Sequence, residues 1–259
     1  MKISTIKGNV IKNLFAAFFW VAVWEAAALA VHKEVLVASP LTVFKRLWVL
    51  GQTGDFWISA GASVFRILLG FLLAVFLGCL AAWLTSRFGP VHALFAPLMA
   101  VIKATPVASF IILALVWIET GNIPTFTSFL MVFPVIWGNV HQGICQVDSD
   151  LKEVAKVYRM SGIKCLTKLY IPSVLPFFSA GCTTGLGLGW KAGIAAEVLC
   201  TPKPSIGKEL YSAKVYLETA DVFAWTLVVI LLSFFIERLL VYFIRKAVSG
   251  NGNPTGGYF

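Results

Sequence analysis

The sequence predicts an all-α membrane protein of six transmembrane helices, and three observations carry that prediction. Apolar residues make up 59% of the 259-residue chain and charged residues 13%, with 21 Phe, 9 Trp and a mean hydropathy of +0.85. Soluble domains hold roughly 45–50% and 25%, so a single core could not hide this much apolar surface from water. Six segments also reach the ~20 mostly apolar residues that a helix needs to cross ~30 Å of hydrocarbon. Finally, most basic residues lie between those segments. A soluble enzyme, a disordered tail and a collagen-like rod are excluded.

The first segment, 11–31, is broken only by Glu25. Its preceding lysines and Ala28, Leu29 and Ala30 also fit a cleaved signal peptide; Glu25 interrupts the run just before that site, which favours a retained span. Residues 39–59 are too polar to cross. Val43, Leu47 and Leu50 recur there at helical spacing and predict a short helix lying at the outer interface. The second span, 61–85, carries Arg66 near its start, and the third, 91–118, contains Pro97, Lys103 and Pro106. The remaining spans are 123–144, 172–200 and 222–244. Residues 1–249 thus form one transmembrane domain, followed by a flexible tail, 250–259.

The net charge of +9 would suggest nucleic acid in a soluble chain. Here it reads as topology. Lys2, Lys7, Lys12, Arg87, Lys152, Lys156, Arg159, Lys164, Lys168, Arg245 and Lys246 fall on one side of the six spans. On the other side Lys33, Lys45, Arg46, Lys203, Lys208 and Lys214 are offset by Glu34, Asp55, Glu209, Glu218 and Asp221. The more basic side is cytoplasmic, so both termini are expected there, with lipid rather than nucleic acid as the surroundings.

Catalytic signatures are missing. The chain has no GxxxxGK[ST], HExxH or GxSxG, and His32, His92 and His141 are far apart in sequence, near span ends. Gly185, Gly187 and Gly189 sit in an apolar run with no strand before them, which is not a dinucleotide loop. Cys79, Cys145, Cys165, Cys182 and Cys200 are odd in number and lack CxxC spacing, so neither a disulfide framework nor a metal site is predicted. No catalytic residue, metal or cofactor is expected in this chain; any energy comes from a partner.

The longest stretch on the basic side is 146–170. Asp148, Ser149 or Asp150 caps a helix there. Leu151, Val154, Ala155 and Tyr158 share one face at i, i+3, i+4 and i+7. Gly162 is placed to end that helix in a left-handed conformation. A second amphipathic turn covers 163–170, and the span resumes at Ile171 and Pro172. A short apolar-faced helix projecting from a membrane fits docking into a partner.

Glu153, Val154 and Ala155, then Gly162, then Ile171 and Pro172 resemble the EAA loop of permease subunits from binding-protein-dependent ATP-binding-cassette (ABC) importers. That loop has Glu-Ala-Ala, a glycine several residues on, and an apolar-x-Leu-Pro ending. Val154 stands for the middle alanine, and Arg159 occupies the usual glycine position. Ser39 and Pro40, then Arg66, Gly70 and Phe71, then Lys103 to Pro106, Trp117, and the run from Gly187 through Trp190 to Ala196 and Glu197 are similar to the nitrate/taurine/sulfonate branch of those permeases. The resemblance implies a type I importer (MetI-like) fold working as a homodimer in a bacterial cytoplasmic membrane. It also implies an external solute-binding protein and cytoplasmic ATPase subunits that hold ATP and Mg. Glu153, Val154, Ala155, Tyr158, Gly162, Ile171 and Pro172 would then belong to the ATPase-coupling element. The solutes of that branch are small, polar or anionic: nitrate, taurine, alkanesulfonates and vitamin-precursor heterocycles.

Two further features come from the spans themselves. Gly181, Gly185, Gly189 and Gly193 form a small-residue stripe, which serves either packing within one subunit or a sliding contact with a partner subunit. Gly70, Ala74 and Gly78 form a weaker one. Charges inside spans are functional candidates by default. Lys103, Pro106, Trp190, Lys191 and Glu197 are candidates for the translocation pathway, the alternative being internal pairing of Lys191 with Glu197 or Glu25. Glu25 and Arg66 lie near span ends, where snorkelling explains them. The rival functional class is a secondary transporter driven by an ion gradient, which would ordinarily show inverted repeats; no internal repeat is evident.

Overall fold

The computed structural model describes residues 3–31, 33, 34 and 36–249. Lys2, His32 and the tail 250–259 lie outside the described residues, as do the side chains of Lys7, Lys12 and Arg245. Every regular element among the described residues is helical: α1 (Ile3–Val31), α2 (Pro40–Gly51), α3 (Gly54–Arg87), α4 (Gly89–Ala104), α5 (Val107–Ala114), α6 (Ile123–Cys145), α7 (Ser149–Val157), α8 (Gly162–Cys165), a π-helical turn (Leu166–Tyr170), α9 (Ile171–Cys200), α10 (Ile206–Val215) and α11 (Thr219–Ser249).

Among the described residues, four stretches are long and apolar enough to cross a membrane: α3, α6, the continuous run Gly162–Cys200, and Thr219–Ile244 of α11. The predicted third span is not one rod. It is α4 and α5, bent by 100° to each other. The cause is Pro106. Proline drives the residue before it out of the helical region, and Thr105 is extended at φ −80, ψ 132. Pro106 also has no N–H to continue the helical ladder.

At the core stands α6, between α3 and α9. The predicted glycine stripe of α9 faces it: a Cβ on Gly181 would lie 3.0 Å from Asn139, one on Gly185 3.1 Å from Val132, and one on Gly189 2.6 Å from Val132 and 2.8 Å from Ser128 Oγ. Gly193 continues the stripe onto α3, where a Cβ would meet Ile67 at 2.5 Å. From the other side, Gly70 of α3 abuts the Thr125 carbonyl and Gly78 abuts Ile136. Both stripes pack inside one chain, the first of the two alternatives that the sequence left open. Small residues let backbones approach where lipid gives no hydrophobic drive to associate.

Helix α2 forms as its periodicity predicts, with Ser39 Oγ capping Thr42 N–H at 3.3 Å. Val43 is fully buried, and Val43, Leu47 and Leu50 pack with Ala224, Phe223 and Ala220 at the start of α11. Arg46 and Asp221 clamp the same junction with a bidentate ion pair. The Asp221 hydrogen bonds push the Arg46 guanidinium above its ordinary range, so it stays charged at any working pH. Helix α10 has no counterpart among the predicted elements; its apolar content is too low to register as a span.

Candidate functional site

The projecting segment after α6 is built by local rules. Asp148 caps α7 by accepting from the Asp150 N–H at 2.9 Å. The helix ends at Tyr158, and its end corrects the expected role of Gly162. Arg159, not Gly162, takes the left-handed conformation, at φ 46. The Met160 N–H reaches back to the Ala155 carbonyl and the Arg159 N–H to that of Lys156, each at 3.0 Å, which is a Schellman closure. Met160 packs with Ala155, Val147 and Leu169 to seal it. Position 159 is where the family pattern has glycine, so the backbone keeps the bend where the pattern puts it and carries an arginine there. Gly162 instead opens α8 in ordinary helical geometry, behind the Ser161 cap.

Ala155 is the inward residue of α7 and is buried. Leu151, Val154 and Tyr158 from the predicted face are 48%, 48% and 77% exposed, and Val157, Ile163 and Leu166 are exposed beside them. Glu153 is exposed as well. The segment thus folds on a small cluster around Ala155 and leaves an apolar surface with no partner among the described residues. It runs into α9 without a break. Pro172 cannot donate to the Lys168 carbonyl, and the chain widens to a π turn, the Ile171 N–H reaching the Leu166 carbonyl.

The pathway candidates separate into two groups. Lys103 and Lys191 are exposed, and neither pairs with an acid among the described residues. Lys103 sits in the last turn of α4, where the helix dipole favours a cation. Its ammonium lies over Gly138 of α6, 3.8 Å from where a Cβ would be. Pro106, exposed, starts α5 at the bend.

Glu197 and Trp190 belong elsewhere. Trp190 is 2% exposed and donates from Nε1 to the Val229 carbonyl of α11 at 3.2 Å. Glu197 is fully buried; its Oε2 accepts from Ser63 Oγ at 2.6 Å and from the Gly207 N–H at 3.2 Å. Its Oε1 lies 3.5 Å from Arg66 Nη1 as an ion pair without a hydrogen bond; that nitrogen donates to the Pro204 carbonyl at 2.7 Å. Ser63 Oγ also accepts from the Ile206 N–H at 2.9 Å. The carboxylate therefore ties α3 and α9 to the N-terminus of α10, whose free N–H groups and dipole suit an anion. It pairs with Arg66 and not Lys191, and Arg66 is held in a network rather than snorkelling. In this chain Glu197 and Trp190 are engaged in holding the fold.

Two histidines that the sequence leaves far apart are stacked. The rings of His92 and His141 are 4.6 Å apart, with Trp137 beside both. Thr85 and Ser86 give their hydroxyl hydrogens to the Ala81 and Ala82 carbonyls and present lone pairs to His141 Nδ1 at 3.2 and 3.0 Å. This cluster locks the start of α4 to α3 and α6.

The chain matches the model of the family described as binding-protein-dependent transport system inner membrane component over residues 74–249. It is 27% identical over 207 residues to a probable ABC transporter permease protein of Brucella melitensis, covering 80% of this chain and 84% of that one. It is similar to the putative aliphatic sulfonates transport permease protein SsuC of Escherichia coli, at 29% identity over 77% of this chain and 76% of that one. The bicarbonate transport system permease protein CmpB of Synechococcus elongatus is 29% identical over 62% of this chain and 58% of its own length. With four membrane-length helices, a fifth bent pair and a projecting α7–α8 segment, the chain belongs to the binding-protein-dependent inner membrane component family and is a multi-pass membrane permease of an ABC importer.

Proposed function

We propose that two copies of this chain form the membrane channel of an importer that takes up a small monoanion, with cytoplasmic ATPase subunits seated on α7 and α8. The single observation that carries the reading is the unpartnered apolar surface of Leu151, Val154, Val157, Tyr158 and Ile163, held on a π-turn linkage to α9. ATP and Mg belong to those partner subunits, and an external solute-binding protein delivers the solute to the opposite end. With α1 and the α4–α5 pair each taken as a span, the positive-inside rule supports both termini and α7 in the cytoplasm of a bacterial cell. ATPase closure draws the two α7 helices together, and the linkage passes that movement to α9. Lys103 and Lys191, exposed and without an acid partner among the described residues, suit an oxyanion of the bicarbonate or sulfonate type, the solutes named for two relatives.

Co-expression with the ATPase subunit encoded beside it tests this reading. The chain is expected to retain the ATPase through purification, and Val154→Asp with Tyr158→Asp is expected to release it while the chain stays in the membrane. A chain that captures no ATPase, or a double variant that still captures it fully, overturns the proposal.

A further inference from the structure

The histidine stack near the end of α6 turns one nitrogen lone pair toward a thiol. Ser86 Oγ gives its hydrogen to the Ala82 carbonyl at 2.6 Å, and Thr85 Oγ1 gives its hydrogen to the Ala81 carbonyl at 2.8 Å. Both oxygens can therefore only accept from His141 Nδ1, at 3.0 and 3.2 Å, so Nδ1 carries the imidazole proton. Nε2 is then the bare nitrogen. It faces Cys145 Sγ, one turn further along α6, at 3.6 Å. Neither side chain belongs to the proposed ATPase surface or solute path, and no CxxC or HExxH pattern announces the pair in the sequence.

The spacing is that of a metal chelate. Zinc bonds thiolate sulfur at about 2.3 Å and imidazole nitrogen at about 2.0–2.1 Å in tetrahedral geometry, and two such bonds meeting at about 109° set the sulfur about 3.6 Å from the nitrogen. The imidazole is already held in place. Its ring stacks with those of His92, at 4.6 Å between centroids, and Trp137, at 5.7 Å. Its Nδ1–H is anchored on Ser86, the kind of hydrogen bond that orients a ligating histidine. Cys145 is exposed, so an ion from water reaches the sulfur without the helices parting. No third His, Cys or carboxylate completes a cluster among the described residues. The other coordination positions fall to water, and the ion is held exchangeably.

We propose that His141 and Cys145 bind a thiophilic divalent ion of the zinc class at the end of α6. The thiol proton leaves to solvent as the ion binds, and the ion takes its place between sulfur and Nε2. Occupancy braces the last turn of α6, where the chain departs for the Asp148 cap of α7. The inference does not rest on the proposed function.

Cadmium titrated into the purified chain tests it, read by the thiolate-to-cadmium absorbance band. The parent is expected to show the band. Cys145→Ser, a change at an exposed position outside the stack, is expected to abolish it, and Cys165→Ser to leave it. His141→Gln is expected to weaken cadmium binding by at least about tenfold, no less than removing a ligand's hydrogen-bond partner costs. In native membranes zinc is expected to slow maleimide labelling of Cys145, read by peptide mass spectrometry, in the parent and not in His141→Gln. No band in the parent, a band at full height in Cys145→Ser, cadmium binding by His141→Gln as tight as the parent's, or labelling that zinc does not slow overturns the site.

Discussion

Ser63 and Glu197, 134 positions apart, meet at 2.6 Å inside the bundle, and that bond makes a buried carboxylate into the joint between α3, α9 and α10. Each oxygen faces a separate partner set: Ser63 and the Gly207 N–H on one, the Arg66 guanidinium on the other. Removing the acid strands Arg66, Ser63 and the first N–H groups of α10 together.

Glu197→Ala is therefore expected to cost about 3–5 kcal/mol, the range for leaving one member of a buried pair uncompensated. Glu197→Gln, which keeps an oxygen for Ser63 and Gly207, is expected to cost less. Thermal unfolding in detergent reads both. An unchanged midpoint for the alanine variant would return Glu197 to the list of pathway candidates.

The glycine stripe makes a graded prediction. Gly189→Ala and Gly193→Ala each drive a methyl into Val132 or Ile67 and are expected to lose about 1–3 kcal/mol. Gly187 has open space where its Cβ would be, so Gly187→Ala is expected to gain about 0.5–1 kcal/mol from helix propensity. Equal effects at the three positions would contradict the packing of α9 on α6 and α3.

The turn after α7 separates two glycine positions. Arg159→Gly is expected to stabilise the projecting segment by about 1 kcal/mol, since it removes the cost of a left-handed side-chain residue. Gly162→Pro is expected to be tolerated: it is the first residue of α8, where proline is favoured, and Ser161 before it is already extended at ψ 151. Slowed protease cleavage between α7 and α8 in the first variant, and unchanged cleavage in the second, is the expected pattern. Faster cleavage in Gly162→Pro would contradict it.

Lys103 and Lys191 carry the anion reading. Lys103→Gln or Lys191→Gln is expected to lower uptake of a bicarbonate or sulfonate solute by about tenfold, roughly the value of one charge-assisted contact. ATPase capture should not change. Uptake equal to that of the parent in both variants would remove the lysines from the path.

How much of this was legible in the sequence depended on the range of the physics. Span composition, the α2 periodicity and the Asp148 cap are local, and they appear where the residues put them. Thr105 leaves the helix for a local reason too, yet the 100° bend that follows needs α5 to pack on Ile123, Ala196 and Cys200. Glu197 was read as a pathway candidate or a partner of Lys191 because its actual partners Ser63 and Arg66 lie more than 130 positions away. The His92–His141 stack, also between residues on different helices, was hidden by a shorter but still non-local separation. Gly162 misled because glycine signals a left-handed turn, whereas the Schellman bonds put that conformation on Arg159.

The most direct test of the account is ATP hydrolysis by the chain reconstituted in liposomes with its ATPase and its solute-binding protein. Loaded binding protein is expected to stimulate hydrolysis in the parent and in Gly162→Pro, and to leave Val154→Asp with Tyr158→Asp at the unstimulated rate. Full stimulation in that double variant would contradict coupling through the exposed face of α7.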